Sequence, residues 1–175
     1  WGVGDKLDML IWLLADAMGP ALTTYTAQNM GAGRWDRVCK GNRIGAAMSV
    51  AAVGTVSLGL YFLTAPLGGL FVPVQDAAAV VPQAVAFMRR MAPFFLFYAL
   101  AESFSGACCG TGDTVRPMIL TLLSICLLRV LGILLVLPRQ HTMECIIDIY
   151  ISSWIAAGIG FLILWQWEKN RVQKT

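Results

Sequence analysis

The chain has 175 residues, of which 58% are hydrophobic and only 13% charged, where soluble domains carry roughly 25% charged residues. Thirteen basic and ten acidic side chains cannot cover a water-facing surface at a mean hydropathy of +0.69. The composition excludes a soluble globular domain, a disordered tail and a nucleic-acid binder, and it describes an integral membrane protein.

A bilayer core about 30 Å thick requires about 20 mostly apolar residues per helical span. In chain order the sequence predicts five: Leu7 to Met30, Ile44 to Ala65, Met91 to Cys109, Pro117 to Leu137 and Cys145 to Trp167. The apolar runs are long and continuous, unlike the alternating ten-residue strands of an outer-membrane barrel. Between spans two and three, residues 72–90 are too polar and too often broken by Pro to cross. Val80, Val81, Ala84, Val85, Phe87 and Met88 suit a short helix at the outer interface, with Arg89 and Arg90 at headgroup level. Trp1, Trp12, Trp165 and Trp167 are expected to anchor span ends. Residues 168–175 form a short charged tail, and Trp1 in place of an initiating Met predicts a segment of a longer chain.

Positive loops stay cytoplasmic. Arg34, Arg37, Lys40, Arg43, Arg116, Lys169, Arg171 and Lys174 fall on one side of the five spans; Lys6, Arg89, Arg90 and Arg139 fall on the other. The expected topology is multi-pass in the plasma (inner) membrane, with the C-terminus cytoplasmic.

The sequence offers no catalytic site. Cys39, Cys108, Cys109, Cys126 and Cys145 form no C-x-x-C pair, and His141 is the single histidine, so zinc ligands are lacking. There is no P-loop motif. Gly31-Ala32-Gly33 and Gly110-Thr111-Gly112 each follow a membrane span and predict helix ends and tight turns.

Charged groups within a bilayer cost at least about 2.5–3.5 kcal/mol, so each needs a reason. Asp16 lies near the middle of span one, four residues before Pro20, where Gly19-Pro20 predicts a kinked or locally open helix. Transporters place ligands and coupling ions at such discontinuities, so Asp16 either carries a proton or Na⁺ or pairs with a basic residue of a neighbouring helix. Glu102, in the cytoplasmic half of span three, has the same two roles open to it. Arg129 in span four is expected to pair with carbonyl groups or with Glu102. Gln28 and Asn29 either line a cavity or cap span one. Phe94, Phe95, Phe97 and Tyr98 present aromatic faces, for a flat cationic compound or for packing. Small residues along span two (Gly45, Ala46, Ala47, Ala51, Ala52, Gly54, Gly59) predict close helix packing.

Two segments carry a family resemblance. Residues 21–34, ending Gln28-Asn29-Met30-Gly31-Ala32-Gly33-Arg34, resemble the QN-x-GAG signature of the multidrug and toxic compound extrusion (MATE) family. Gly106, then Gly110-Thr111-Gly112-Asp113-Thr114-Val115-Arg116-Pro117, and Arg129-Val130 further on, are similar to that family's G-x-GDT-x-x-P turn and the Arg of its next helix. The resemblance is clear over residues 5–137 and looser beyond.

It implies an all-α integral membrane protein whose five transmembrane helices correspond to the last five of a twelve-helix, two-lobe transporter. It also implies a secondary antiporter, exporting cationic or amphipathic compounds in exchange for Na⁺ or H⁺. The partners expected are a small amphipathic or cationic substrate, membrane lipid and the missing N-terminal lobe, with no nucleic acid, no metal and no cofactor beyond the coupling ion. The family's best-known coupling carboxylate belongs to the first helix of the other lobe. A second, on the tenth helix in some branches, aligns with Tyr98, one turn from Glu102. The candidate ion-coupling carboxylates are therefore Asp16 and Glu102, and the candidate cavity residues Gln28, Asn29, Tyr98 and Arg129. The alternatives are a flippase for lipid-linked oligosaccharides of the same superfamily, against which a single intramembrane Arg weighs, and a non-transporting membrane fragment.

Overall fold

A computed structural model describes residues 2–70, 74–136, 138 and 142–172, and every regular element among them is helical. Helix α1 spans Gly2–Gly31, α2 Trp35–Leu70, α3 Val74–Met91 and α4 Phe95–Gly110. Helix α5 (Val115–Thr121) passes through a π-helical stretch, Leu122–Leu127, into α6 (Leu128–Leu135), and α7 runs Met143–Val172. Trp1, expected as an anchor, the single histidine His141, and Arg139 and Lys174 of the charge pattern lie outside the described residues.

Among the described residues four stretches are long and apolar enough to cross a membrane: Trp35–Leu70, Ala77–Gly110, Val115–Leu135 and Met143–Val172. Helix α1, expected as the first span, is a continuous 30-residue helix but falls outside these four. Asp8, Asp16 and the Thr-, Gln- and Asn-rich second half (Thr23 to Asn29) dilute its apolar character. Of the stretch 72–90 expected at the outer interface, the described residues form α3, an amphipathic helix that runs on towards α4. Helix α3 meets α4 through a three-residue 3₁₀ turn, Ala92–Phe94, containing Pro93. Its apolar face buries Ala84 and Met88, and Met88 joins Ile11, Val53, Phe95 and Trp154 in one core cluster.

Of the kinked or locally open helix expected at Gly19-Pro20, the opening is absent from α1. The helix continues unbroken from Gly2 to Gly31, with Pro20 inside it, and two hydroxyls bond carbonyls beside the proline. Thr24 Oγ1 donates to the Pro20 carbonyl at 3.0 Å, and Thr23 Oγ1 lies 2.9 Å from the Gly19 carbonyl and 3.0 Å from that of Gly106. The last contact ties α1 to α4 where the two backbones nearly touch. A Cβ on Gly106 would stand 2.2 Å from the Gly19 carbonyl oxygen, and one on Gly110 2.6 Å from that of Thr23. Gly106 and Gly110 are one turn apart, the small-xxx-small spacing that lets membrane helices approach closely.

Against α2 the packing follows the expected small residues only in part. Gly45 lies beneath Leu22 and Gly54 beneath Leu96, whereas Gly59 faces open space and Ala47, Ala51 and Ala52 are exposed. The buried Thr26–Asn42 pair cross-links α1 to α2, with Asn42 Nδ2 donating to Thr26 Oγ1 at 2.7 Å. As predicted, the turn glycines Gly33 and Gly112 adopt positive φ, +68° and +93°, which favours a residue without Cβ.

Ion pairs hold the two ends of α7. At one end Arg90 of α3 bonds Asp148 twice, Nε to Oδ1 at 2.9 Å and Nη2 to Oδ2 at 2.7 Å, and meets Glu144 at 3.3 Å. At the other, Arg116 binds Asp113 at 2.6 Å and Glu168 at 3.1 Å, while Arg171 binds Glu168 at 2.9 Å. The Glu168 side chain is 0% exposed, so a buried carboxylate joins the α4–α5 turn to the last turns of α7.

Burial alone would raise the Asp113 carboxyl. The Arg116 backbone N–H, a hydrogen bond with the Glu168 side chain and the Arg116 guanidinium outweigh that and hold it below the usual carboxylate value of 3.8. A carboxyl lowered on folding stabilises fully above its unfolded value, and that contribution is lost as pH falls through the folded one. Asp113→Asn is therefore expected to flatten the acid side of a Tm-against-pH curve below about pH 4. An unchanged acid limb contradicts this role.

Candidate functional site

Three polar groups, Asp16, Tyr98 and Glu102, meet along the first half of α4. Tyr98 and Glu102 are four residues apart and so share one face of that helix. Tyr98 Oη donates to Asp16 Oδ1 at 2.6 Å. One turn along α1 from Asp16, Gly19 faces the Glu102 carboxylate, whose Oε2 would lie 3.2 Å from a Cβ at that position. Asp16 and Glu102 are thus separated by about one helical turn, roughly 5 Å, close enough for their charges to interact. Asp16 lies on an exposed face of α1, and Glu102 is half-buried behind it.

Aromatic rings form the wall of this site. Trp12 packs on Tyr98 at 4.5 Å between centroids and on Trp154 at 6.0 Å, and Phe95 lies 5.0 Å from Trp154. Trp12 and Trp165, expected as interface anchors, therefore pack inside the bundle. Trp165 is 5% exposed and sits between Trp35 and Phe104. Phe95 is fully buried and Phe94 stacks on Phe97, so of the four expected aromatics Tyr98 alone touches a carboxylate of the site.

Arg129 pairs with neither Glu102 nor a carbonyl cluster. Its Nε donates to Ser153 Oγ at 2.9 Å, and its guanidinium lies 4.0 Å above the Tyr150 ring. Its Nη2 is buried without a hydrogen-bond partner among the described residues. Gln28 and Asn29 stand apart, twelve or more residues along α1 from Asp16, about 18 Å. Gln28 is exposed and Asn29 Nδ2 donates to the Tyr25 carbonyl at 2.8 Å, which assigns Asn29 to its own helix end. Sequence reasoning missed Ser153, Tyr150 and Trp154; the Ser152-Ser153 pair inside an apolar span was the signal for the first.

Two carboxylates and a phenol side by side offer hard oxygen ligands, or proton acceptors, to one small cation. Among the described residues no group of three or more His, Cys, Asp or Glu is arranged to hold a metal ion. The MatE family profile matches residues 1–135, more than three-quarters of the chain. The chain belongs to the MatE family. MatE proteins are membrane transporters rather than enzymes, and the apolar helices of this member make it a multi-pass membrane protein. No curated protein matches the chain. In this MatE chain the signature residues divide between roles. Gly106 and Gly110 bring α1 and α4 together, and Asp113 and Arg116 fasten the following turn to α7.

Proposed function

We propose that this MatE chain works as part of a secondary active multidrug efflux antiporter, exporting cationic or amphipathic compounds in exchange for Na⁺ or H⁺. The observation that carries the reading is the hydrogen-bonded Asp16–Tyr98 pair with Glu102 one turn away, presented on an exposed face of α1. Carboxylates at membrane depth are expensive and are retained where an ion must bind and leave. A second lobe, packed over α1, supplies the opposite wall of the cavity, and the five long helical units act as five spans. The plasma membrane is the site of action. The positive residues of the α1–α2 turn, the α4–α5 turn and the end of α7 put those ends and the C-terminus in the cytoplasm.

The test is ethidium efflux by the full-length protein in cells, with the Na⁺ and pH gradients collapsed separately by ionophores. Efflux that stops with one gradient supports the antiporter and names the ion. Efflux indifferent to both overturns it. Loss of cell-envelope glycans on deletion, without a change in ethidium handling, replaces it with the oligosaccharide flippase.

A further inference from the structure

A cavity of about 660 Å³ lies between α3 and the start of α7, well away from the Asp16 site. Its depth in the membrane follows from helix geometry. Asp148 and Glu168 mark the two ion-paired ends of α7, and the 20 residues between them rise about 30 Å, the thickness of a bilayer's hydrocarbon core. The 3₁₀ turn and the 16-residue α4 that follows it rise about 30 Å towards the opposite face. Arg89, Arg90, Glu144 and Asp148 therefore stand at one headgroup level, with the cavity among them.

The lining has two parts. Val80, Ala84, Phe87, Met143 and Ile147 form an apolar wall, and Arg89, Arg90 and Glu144 form a charged rim. The rim is dipolar. Glu144 is 74% exposed, so its carboxylate keeps accepting capacity beyond its contact with Arg90. Arg90 spends one N–H of each of its three nitrogens on Asp148 and Glu144. A guanidinium has five N–H donors, so two remain for an incoming acceptor. Arg89 is exposed, its guanidinium 5.5 Å from the Tyr61 ring centroid. Positive donors and a negative acceptor thus lie side by side above an apolar wall.

We propose that this cavity binds a phospholipid with a zwitterionic, primary-amine headgroup, a phosphatidylethanolamine. Its phosphate accepts from Arg89 and from the remaining N–H groups of Arg90. Its ammonium donates to Glu144, and the first methylenes of an acyl chain lie along Phe87, Met143 and Ile147. A trimethylated headgroup has no N–H to give Glu144, and an anionic headgroup without an amine leaves that carboxylate facing like charge. The site is independent of the ion-coupling reading, since neither its residues nor its test involves transport.

The experiment is native mass spectrometry of the delipidated full-length protein, titrated in detergent with phosphatidylethanolamine, phosphatidylcholine and phosphatidylglycerol of identical chains. The ethanolamine lipid is expected to bind about tenfold more tightly than either other lipid, a difference of about 1.4 kcal/mol. Arg89→Gln with Glu144→Gln, two exposed positions, is expected to abolish the preference at unchanged Tm. Equal affinities for the three lipids in the wild-type protein overturn the proposal whatever the variant does. A preference surviving in the double variant also overturns it. So does full competition by soluble glycerophosphoethanolamine, which would make the occupant a free zwitterion instead of a lipid.

Discussion

Asp16→Asn is expected to abolish ion-driven export while leaving the fold intact. Asparagine keeps the shape of the side chain and still accepts the hydrogen bond that Tyr98 donates at 2.6 Å, so packing of α1 on α4 survives. What it removes is the charge. Without it Glu102 faces no second carboxylate, and the site loses both its affinity for a cation and its reason to release one when the other side of the membrane is presented. Ethidium efflux in proteoliposomes under an imposed Na⁺ or pH gradient should fall to the level of empty vesicles, with Tm unchanged. Efflux that persists undiminished assigns Asp16 a structural role. Tyr98→Phe separates the parts: it retains the ring against Trp12 and Trp154 but withdraws the hydroxyl. It should move the ion concentration or pH at which export is half-maximal rather than stop it.

The largest effect on stability is expected at Gly106. A side chain there meets backbone, the Gly19 carbonyl group with its oxygen 2.2 Å and its carbon 2.8 Å from the new Cβ, and backbone cannot rotate aside as a side chain would. Gly106→Leu must push α1 from α4, breaking the Thr23–Gly106 hydrogen bond and separating Asp16 from Tyr98. Overpacking of this kind costs about 3 kcal/mol, read as a large fall in Tm in detergent together with loss of export. Gly59→Ala is the control, since nothing lies within 4 Å of that position, and its Tm should hold or rise. A Gly106 variant as stable as wild type would show that the crossing is not close.

Much of this was legible in the chain and some was not, for reasons that differ residue by residue. Helix placement follows from long apolar runs, and the turns at Gly33 and Gly112 from the local need for positive φ. Asp16 and Glu102 stood out because charge inside an apolar run is rare, and the structure brings them together with Tyr98. What periodicity does not encode is which faces meet. Arg129 reaches Ser153 and Tyr150 instead of Glu102 because α7, not α4, lies beside its helix. Gln28 and Asn29 share a helix with Asp16 but sit at its far end, so proximity in sequence placed them with a site they do not join. Pro20 predicts an opening, yet the helix runs through it from Gly2 to Gly31, held against α4 by packing that local sequence does not show. The ion pairs at the ends of α7 join residues 52 to 58 positions apart, beyond any local pattern.

Those end-pairs have a mechanical consequence. Helix α7 is pinned at one end to α3 through Arg90 and at the other to the α4–α5 turn through Glu168, while glycine contacts lock α4 to α1. A beam fixed at both ends neither slides nor tilts alone. In the proposed transport cycle α1, α3, α4 and α7 therefore swing together. The give is left to the α5–α6 stretch, of which only 6% of the most apolar window is buried and whose π-helical turns already depart from regular winding.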